Sequence, residues 1–438
     1  MHMHHLKHWA MAAALAAAMP ATATATTATA APEIVGYYPG WKSDAFPVTA
    51  ANVGAGKLTM ALYAFLDVCW DGRHGNPEPS VNYVAACQDA AGDAAPANGA
   101  LVFRDAARDG ANLRALVALK RQHPRFKVVV SVGGWDWSNR FSNVADSAPA
   151  RASFVASAVK LMRRYGLDGV DIDWEYPTEA GVPCVAGAVC ARPADKQNFI
   201  LLARELRAAF DAAGKADRKH YSITIAAGGN ANYVNEGAAG SGWIKQLSQS
   251  LDWINIMAYD YHMPWEKNSG HHAALAADAG DPVTASGFHA AGSVQRYLRA
   301  GVAADKLVLG VPFYGYGWKG CAPGANGDGQ YQPCDGGATG GVDGGNSYGY
   351  SHLLKQGYLT AEGEGGQGYR RYWNDAAKAP YLYHAAQRVW ISYEDAASIR
   401  EKAGYIKAQG LRGAMFWELS NDGGHQLLDA LSGAMRSR

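Results

Sequence analysis

Eight short apolar runs recur along the chain, each closing in a stretch rich in Gly, Asn or Asp. In order they are "EIVGYYPG" (33–40), "KLTMALYAFLDV" (57–68), "KVVVSVGGW" (127–135), "GVDIDWEY" (169–176), "YSITIAAGG" (221–229), "LDWINIMAYDYH" (251–262), "KLVLGVPFYGYGW" (306–318) and "LRGAMFWELSND" (411–422). Between most of them lie amphipathic helical patterns. Phe154, Val155, Ala158, Leu161 and Met162 share one face of 149–166, and Phe199, Leu202, Leu206 and Phe210 share one face of 194–214. A third helical segment, 392–410, opens with Ser392 as its cap and ends at Gly410. Near-continuous apolar strands alternating with helices belong to a parallel sheet covered on both faces. Eight of them predict an α/β protein built as a closed (β/α)8 TIM barrel. An open doubly wound sheet is the competing arrangement, but no G-x-G-x-x-G follows the first strand. "GAGKL" (54–58) lacks the first glycine and the hydroxyl residue of a phosphate loop.

One connection breaks the alternation. From Trp318 to Trp390 the chain is rich in Gly, Tyr and Asp and shows no barrel-like order. A stretch this long inside a compact domain predicts a small α+β insertion domain, 319–390, rather than a structureless loop. It follows strand seven, so it would raise one wall of a cleft on the barrel's upper rim.

The start of the chain reads differently. A His/Lys-rich opening precedes a short apolar run, Trp9–Met19, and then small residues with repeated Ala-x-Ala. This is the layout of a secretory signal peptide over 1–31, with cleavage near Ala30 or Ala31, leaving 32–438 as the barrel. The run is too short to span a bilayer. The expected product is exported, soluble and monomeric. Six cysteines fit that setting: an even count in an exported protein suggests disulfides. The spacings favour Cys69 with Cys87, Cys184 with Cys190, and Cys321 with Cys334. A metal site is not expected, since no C-x-x-C pair or nearby His completes a ligand set. The net charge of +1 shows no basic surface for nucleic acid or anionic lipid. The 13 Trp and 23 Tyr suit flat amphipathic ligands such as sugars.

The chemistry concentrates in "DGVDIDWEYP" (168–177). Strand side chains alternate between faces, so Asp171, Asp173 and Glu175 share one face and Val170, Ile172 and Trp174 the other. Asp168 has the opposite parity and reads as structural. The apolar set faces the helices and the acids face the barrel interior. Glu175, the last of them, lies nearest the C-terminal mouth, where barrel enzymes keep their active sites. Carboxylates roughly 6–7 Å apart along a strand repel strongly in a low-dielectric interior. At least one must hold a proton, as a general acid does.

"DGVDIDWEYP" resembles the D-x-x-D-x-D-x-E signature of the family-18 glycoside hydrolases, the chitinases. Four more segments resemble that family in order: "SVGGW" (131–135), "MAYD" (257–260), "ISYEDAASI" (391–399) and "GAMFWELSND" (413–422). The resemblance implies substrate-assisted, retaining hydrolysis of β-1,4-linked N-acetylglucosamine, with no cofactor. Glu175 would protonate the glycosidic oxygen and later activate water. Asp173 would orient the acetamide, whose own oxygen attacks C1 and gives an oxazolinium, and Asp171 would share a proton beneath it. Tyr259 and Asp260 would hydrogen-bond the acetamide and sugar, and Trp417 would form a platform beneath it. Trp135 and Trp41 are stacking candidates. Met257, Phe65 and Gly134 complete the substrate-binding set. The expected partners are chitin and chito-oligosaccharides. In one place the chain departs from the family. Tyr316 in "YGYGW" stands where relatives often carry Arg, so a charge-assisted contact to substrate or to Asp260 is missing or supplied elsewhere. An endo-β-N-acetylglucosaminidase would use the same carboxylates. A chitin-binding lectin on the same fold would lack the terminal Glu or the middle Asp, and both are present.

Overall fold

Each of the eight apolar runs contributes one parallel strand: β1 (Glu33–Pro39), β2 (Met60–Val68), β3 (Lys127–Gly133), β4 (Gly169–Asp173), β5 (Ser222–Gly228), β6 (Trp253–Met257), β7 (Leu307–Pro312) and β8 (Gly413–Trp417). The computed structural model describes residues 31–90, 95–185, 188–235 and 242–437, so the leader expected at 1–31 lies outside the described residues except for Ala31. Each strand pairs with the next, and β8 pairs with β1, which closes the barrel. Among the described residues no helix is long and apolar enough to cross a membrane.

Alternation along the strands sorts the core into two. Inward side chains such as Tyr37, Leu62, Val129, Trp253, Val308 and Met415 fill the barrel. Outward ones, Val170, Ile172 and Trp174 among them, join the larger layer beneath the helices. Trp174 sits between Phe141 and Phe199, with ring centroids 5.5 and 5.2 Å away. Burying aromatic rings this size stabilises by on the order of 2–3 kcal/mol each.

The helices end where their caps dictate. Ala148–Tyr165 begins after Ser147, whose side chain accepts the Ala150 N–H, and stops at Gly166 in the left-handed conformation. Asp195–Asp217 buries Phe199, Leu202, Leu206 and Phe210. The cap expected at Ser392 falls elsewhere. Ser392 closes a strand, and Ala396–Ala408 is capped by Asp395, which accepts from Ala397 and Ser398 while Ser398 reaches back. A carboxylate in a reciprocal box is the stronger cap.

Two apolar runs prove shorter or more divided than their composition suggests. "KLVLGVPFYGYGW" splits at Phe313: β7 belongs to the barrel, while Tyr314–Trp318 enters a separate antiparallel sheet. That five-stranded sheet runs in the order Ser347–Gly349, Tyr314–Trp318, Val389–Ser392, Ala379–His384, Arg370–Asn374, with the helix Tyr350–Lys355 beside it. The α+β insertion after β7 therefore carries strands on both sides of the expected 319–390. The second case is 169–176, where the strand ends at Asp173 and leaves Glu175 beyond it. A hairpin of Arg73–Asn76 and Tyr83–Ala86 after β2 had no signature in the sequence reading. The three neighbouring cysteine pairs are all bonded: Cys69–Cys87, Cys184–Cys190 and Cys321–Cys334.

Candidate active site

Parallel register builds the acid ladder. Asp171 lies opposite Ser131 of β3 and Thr224 of β5. Its Oδ2 accepts from Tyr37 at 2.9 Å and Ser131 at 2.8 Å, and its Oδ1 from Thr224 at 2.5 Å and Asn255 at 3.3 Å. Asn255 is itself oriented by the Trp253 indole N–H at 3.0 Å. Burial pushes the Asp171 pKa up, and the hydrogen bonds pull against it. Four donors aimed at one carboxylate favour its ionised form.

Asp173, one rung higher, has no such support. It is 4% exposed, and its Oδ1 is buried without a hydrogen-bond partner. Burial, then the charge of Glu175, then that of Asp171 raise its pKa well above the ordinary range. Beyond the strand end, Ser138 Oγ takes over the turn. It accepts the Glu175 N–H at 2.8 Å and donates to the Asp173 carbonyl at 3.0 Å. Glu175 is partly exposed at the mouth. Desolvation, with the charges of Asp260 and Asp136, outweighs a hydrogen bond from Tyr176 and raises its pKa to about 7. The proton of this ladder thus belongs to the Asp173–Glu175 pair, which titrates as a unit. Asp168 stands at the other end of β4, held by Lys120 at 2.6 Å and Lys219 at 2.8 Å.

The aromatic candidates gather on the same mouth. Trp417 ends β8 and lies 5.2 Å from Tyr37, 5.6 Å from Phe65 and 6.2 Å from Trp41, ring to ring. Trp41 is 37% exposed and Trp135 51%, so each presents a free ring face rather than serving as plain core. Gly134 has a left-handed backbone (φ 82), and a Cβ there would stand 2.6 Å from the Phe65 ring. Met257 and Tyr259 pack against the barrel filling. Asp260, next along, accepts from Tyr314 at 2.6 Å and from Tyr316. Desolvation by the surrounding walls raises its pKa to about 6 despite those bonds. The contact left open by Tyr316 is therefore made by hydroxyls.

Several site residues were not found from the sequence. Ser131, Thr224 and Asn255 become neighbours of Asp171 only once strands are set in register. Tyr37 lay unmarked inside the first run.

Graded buried carboxylates beside an aromatic floor, at the C-terminal mouth of a barrel, equip a chain to cleave glycosidic bonds. The chain belongs to the glycosyl hydrolases family 18, whose model matches residues 33–422. It is 44% identical over 411 residues to chitinase A1 of Niallia circulans, covering 89% of this chain and 56% of that relative. The chain thus spans a little over half that relative's length. Among solved structures it is similar to a chitinase from Bacillus thuringiensis, with 39% identity, TM-score 0.81, and coverage of 92% of this chain and 70% of that one. It is also similar to a family 18 N-acetylglucosaminidase from Paenibacillus barengoltzii, with 32% identity, TM-score 0.71, and coverage of 92% and 99%.

Proposed function

We propose that this chain is an exported chitinase that hydrolyses β-1,4 linkages between N-acetylglucosamine units with retention. The observation that carries the reading is the buried, unpartnered Oδ1 of Asp173 beside a protonatable Glu175. A dry acceptor with no protein donor costs free energy unless a ligand supplies the donor. The N–H of a sugar acetamide is such a donor. Held by Asp173, the acetamide turns its oxygen toward C1, and the substrate provides its own nucleophile. Glu175 gives its proton to the departing glycosidic oxygen, then takes one from the water that opens the oxazolinium. Asp171, pinned by four donors, keeps a negative charge below Asp173 and favours the protonated or hydrogen-bonded form of that neighbour. Tyr259 holds that sugar from the β6 side, Trp417 lies beneath it, and Asp260 stands at its edge, toward the neighbouring sugar. The three disulfides agree with an oxidising, extracellular setting. Free ring faces on both Trp41 and Trp135 favour a groove for several sugars over a pocket for one.

Glu175→Gln tests the assignment, because it removes the proton and keeps the shape. The variant should lose at least about a hundredfold in kcat on chitotetraose while still binding it. Turnover near the wild-type rate would overturn the role. Rapid cleavage of cellotetraose, which has no acetamide, would overturn the substrate-assisted step.

A further inference from the structure

Asp260 follows β6 with a left-handed backbone (φ 59), and the residue stays accessible at the mouth although the surrounding walls partly desolvate its carboxylate. Tyr314 donates to its Oδ1 at 2.6 Å, and the Tyr316 hydroxyl donates to the same carboxylate. Behind the tyrosines stands His272, with ring centroids 5.5 Å from Tyr314 and 5.6 Å from Tyr316. Its Nδ1 meets Ser392 Oγ at 2.9 Å. Burial, then Lys402, push its pKa down to about 3, so it is neutral. The support behind Asp260 therefore fixes direction and supplies no positive charge. Among the described residues no Lys, Arg or His forms an ion pair with Asp260. Cations nearer the mouth are engaged elsewhere. Lys42 pairs with Glu418 at 2.8 Å, and Arg104 lies over the rings of Tyr83 and Trp137 at 4.9 and 5.5 Å. The charges felt at Glu175, from Asp260 and Asp136, are both negative. Tyr259 lies within the field of Asp260, Asp173 and Glu175 together, so the carboxylate and the unpartnered Asp173 Oδ1 serve one cleft.

We propose that Asp260, fixed by Tyr314 and Tyr316 and left without a protein cation, is a specificity-determining carboxylate that favours a sugar bearing a free ammonium group. The preferred polymer is then chitin that has lost part of its acetyl groups. This rests on the glycosidase reading above and deepens it. The sugar at the broken bond still needs its acetamide, because Asp173 and the attacking oxygen both use it. The ammonium belongs to the adjoining sugar that Asp260 faces. An acetamide there offers Asp260 one hydrogen bond, whereas an ammonium offers a hydrogen bond and an opposite charge. An exposed pair of this kind is worth a few-fold in binding and is screened by salt.

The test compares kcat/KM for a half-acetylated chitosan oligomer with kcat/KM for chitotetraose. Wild type, Asp260→Asn, Tyr316→Arg and Tyr316→Phe are measured at low and high ionic strength, between about pH 6 and 7, where Asp260 is ionised while Glu175 and the sugar amine still hold protons. The expected ratio is about three- to fivefold in favour of the chitosan oligomer for wild type at low salt, and it shrinks at high salt. Asp260→Asn and Tyr316→Arg should bring it down to the high-salt value, the first by deleting the charge and the second by neutralising it. Tyr316→Phe keeps the charge and should keep most of the preference. Mass-spectrometric sequencing of products should show glucosamine enriched at one position next to the new ends. A ratio that is the same in all four proteins and insensitive to salt overturns the proposal. If wild type cleaves neither oligomer, the glycosidase reading fails on its own. Calorimetry with glucosamine tetramer and chitotetraose then decides: a salt-sensitive preference lost in Asp260→Asn supports the proposal, and equal binding overturns it.

Discussion

Three acids on one strand face owe their different natures to their neighbours. Asp171 meets four donors and Asp173 Oδ1 meets none, while Glu175 stands past the strand end in contact with Tyr176. In the role proposed for it Glu175 must be protonated, and burial raises its pKa to about 7. The alkaline limb of kcat/KM should therefore fall as pH rises through about 7. The Asp260 charge repels the Glu175 anion and so helps hold that pKa up. Removing it with Asp260→Asn should move the alkaline limb to lower pH, which a pH–rate profile on chitotetraose reads directly. Parity pointed to Asp173 and Glu175 in the sequence, although the strand itself carries only Asp173 and the turn after it carries Glu175. The clasp on Asp171 was not legible. Ser131, Thr224 and Asn255 are ordinary strand residues until the register of three strands is known. The hydroxyl pair on Asp260 was half legible: Tyr316 was conspicuous for what it was not, and Tyr314 was not singled out within its run.

Among the elements, the loop after β6 carries its own fastening. His262, 4% exposed, meets Glu266 at 2.7 Å and Asp281 at 3.1 Å. Burial opposes the charge on its ring, but Asp281 and Glu266 outweigh burial and raise the pKa to about 9. A histidine whose folded pKa lies above its unfolded value stabilises fully below the unfolded value. It loses that contribution as pH rises through the folded one. The urea midpoint of the wild type should accordingly decline between about pH 6.5 and 9. His262→Gln should flatten that decline. No local pattern in the sequence announced this fastening, because Asp281 is 19 residues away across an irregular segment. The barrel strands were plain because burial on both faces leaves an uninterrupted apolar run. For the same reason the run at 306–318 concealed its break. Phe313 is as apolar as its neighbours, and hydropathy alone does not show a chain changing sheets.

For the whole molecule, two disulfides close loops of substantial length. Cys69–Cys87 spans 18 residues and anchors the hairpin after β2, and Cys321–Cys334 spans 13 at the start of the insertion. Loops of this size contribute about 3 kcal/mol each by restricting the unfolded chain. Reduction should therefore lower the thermal midpoint by several degrees, and a scan with and without a phosphine reductant measures it. Sequence spacing favoured the pairing that forms, since nearest partners along the chain are also the nearest in space. The edges of the insertion were less legible: its first strand lies inside a run that reads as a barrel strand, and its last ends at Ser392, which read as a helix cap.

The break at Phe313 bears on how the cleft meets a ligand. Its N–H bonds the Trp417 carbonyl at 2.8 Å, its carbonyl accepts from Tyr350 at 3.0 Å, and its ring stacks on Phe416 at 4.1 Å. One residue thus ties the raised wall to the strand that supplies the aromatic floor, with no free chain between them. Wall and floor are cast as one piece, so the width of the slot is fixed at folding rather than at encounter. A ligand entering it meets a die of constant gauge, and little of the binding energy goes to closing a jaw.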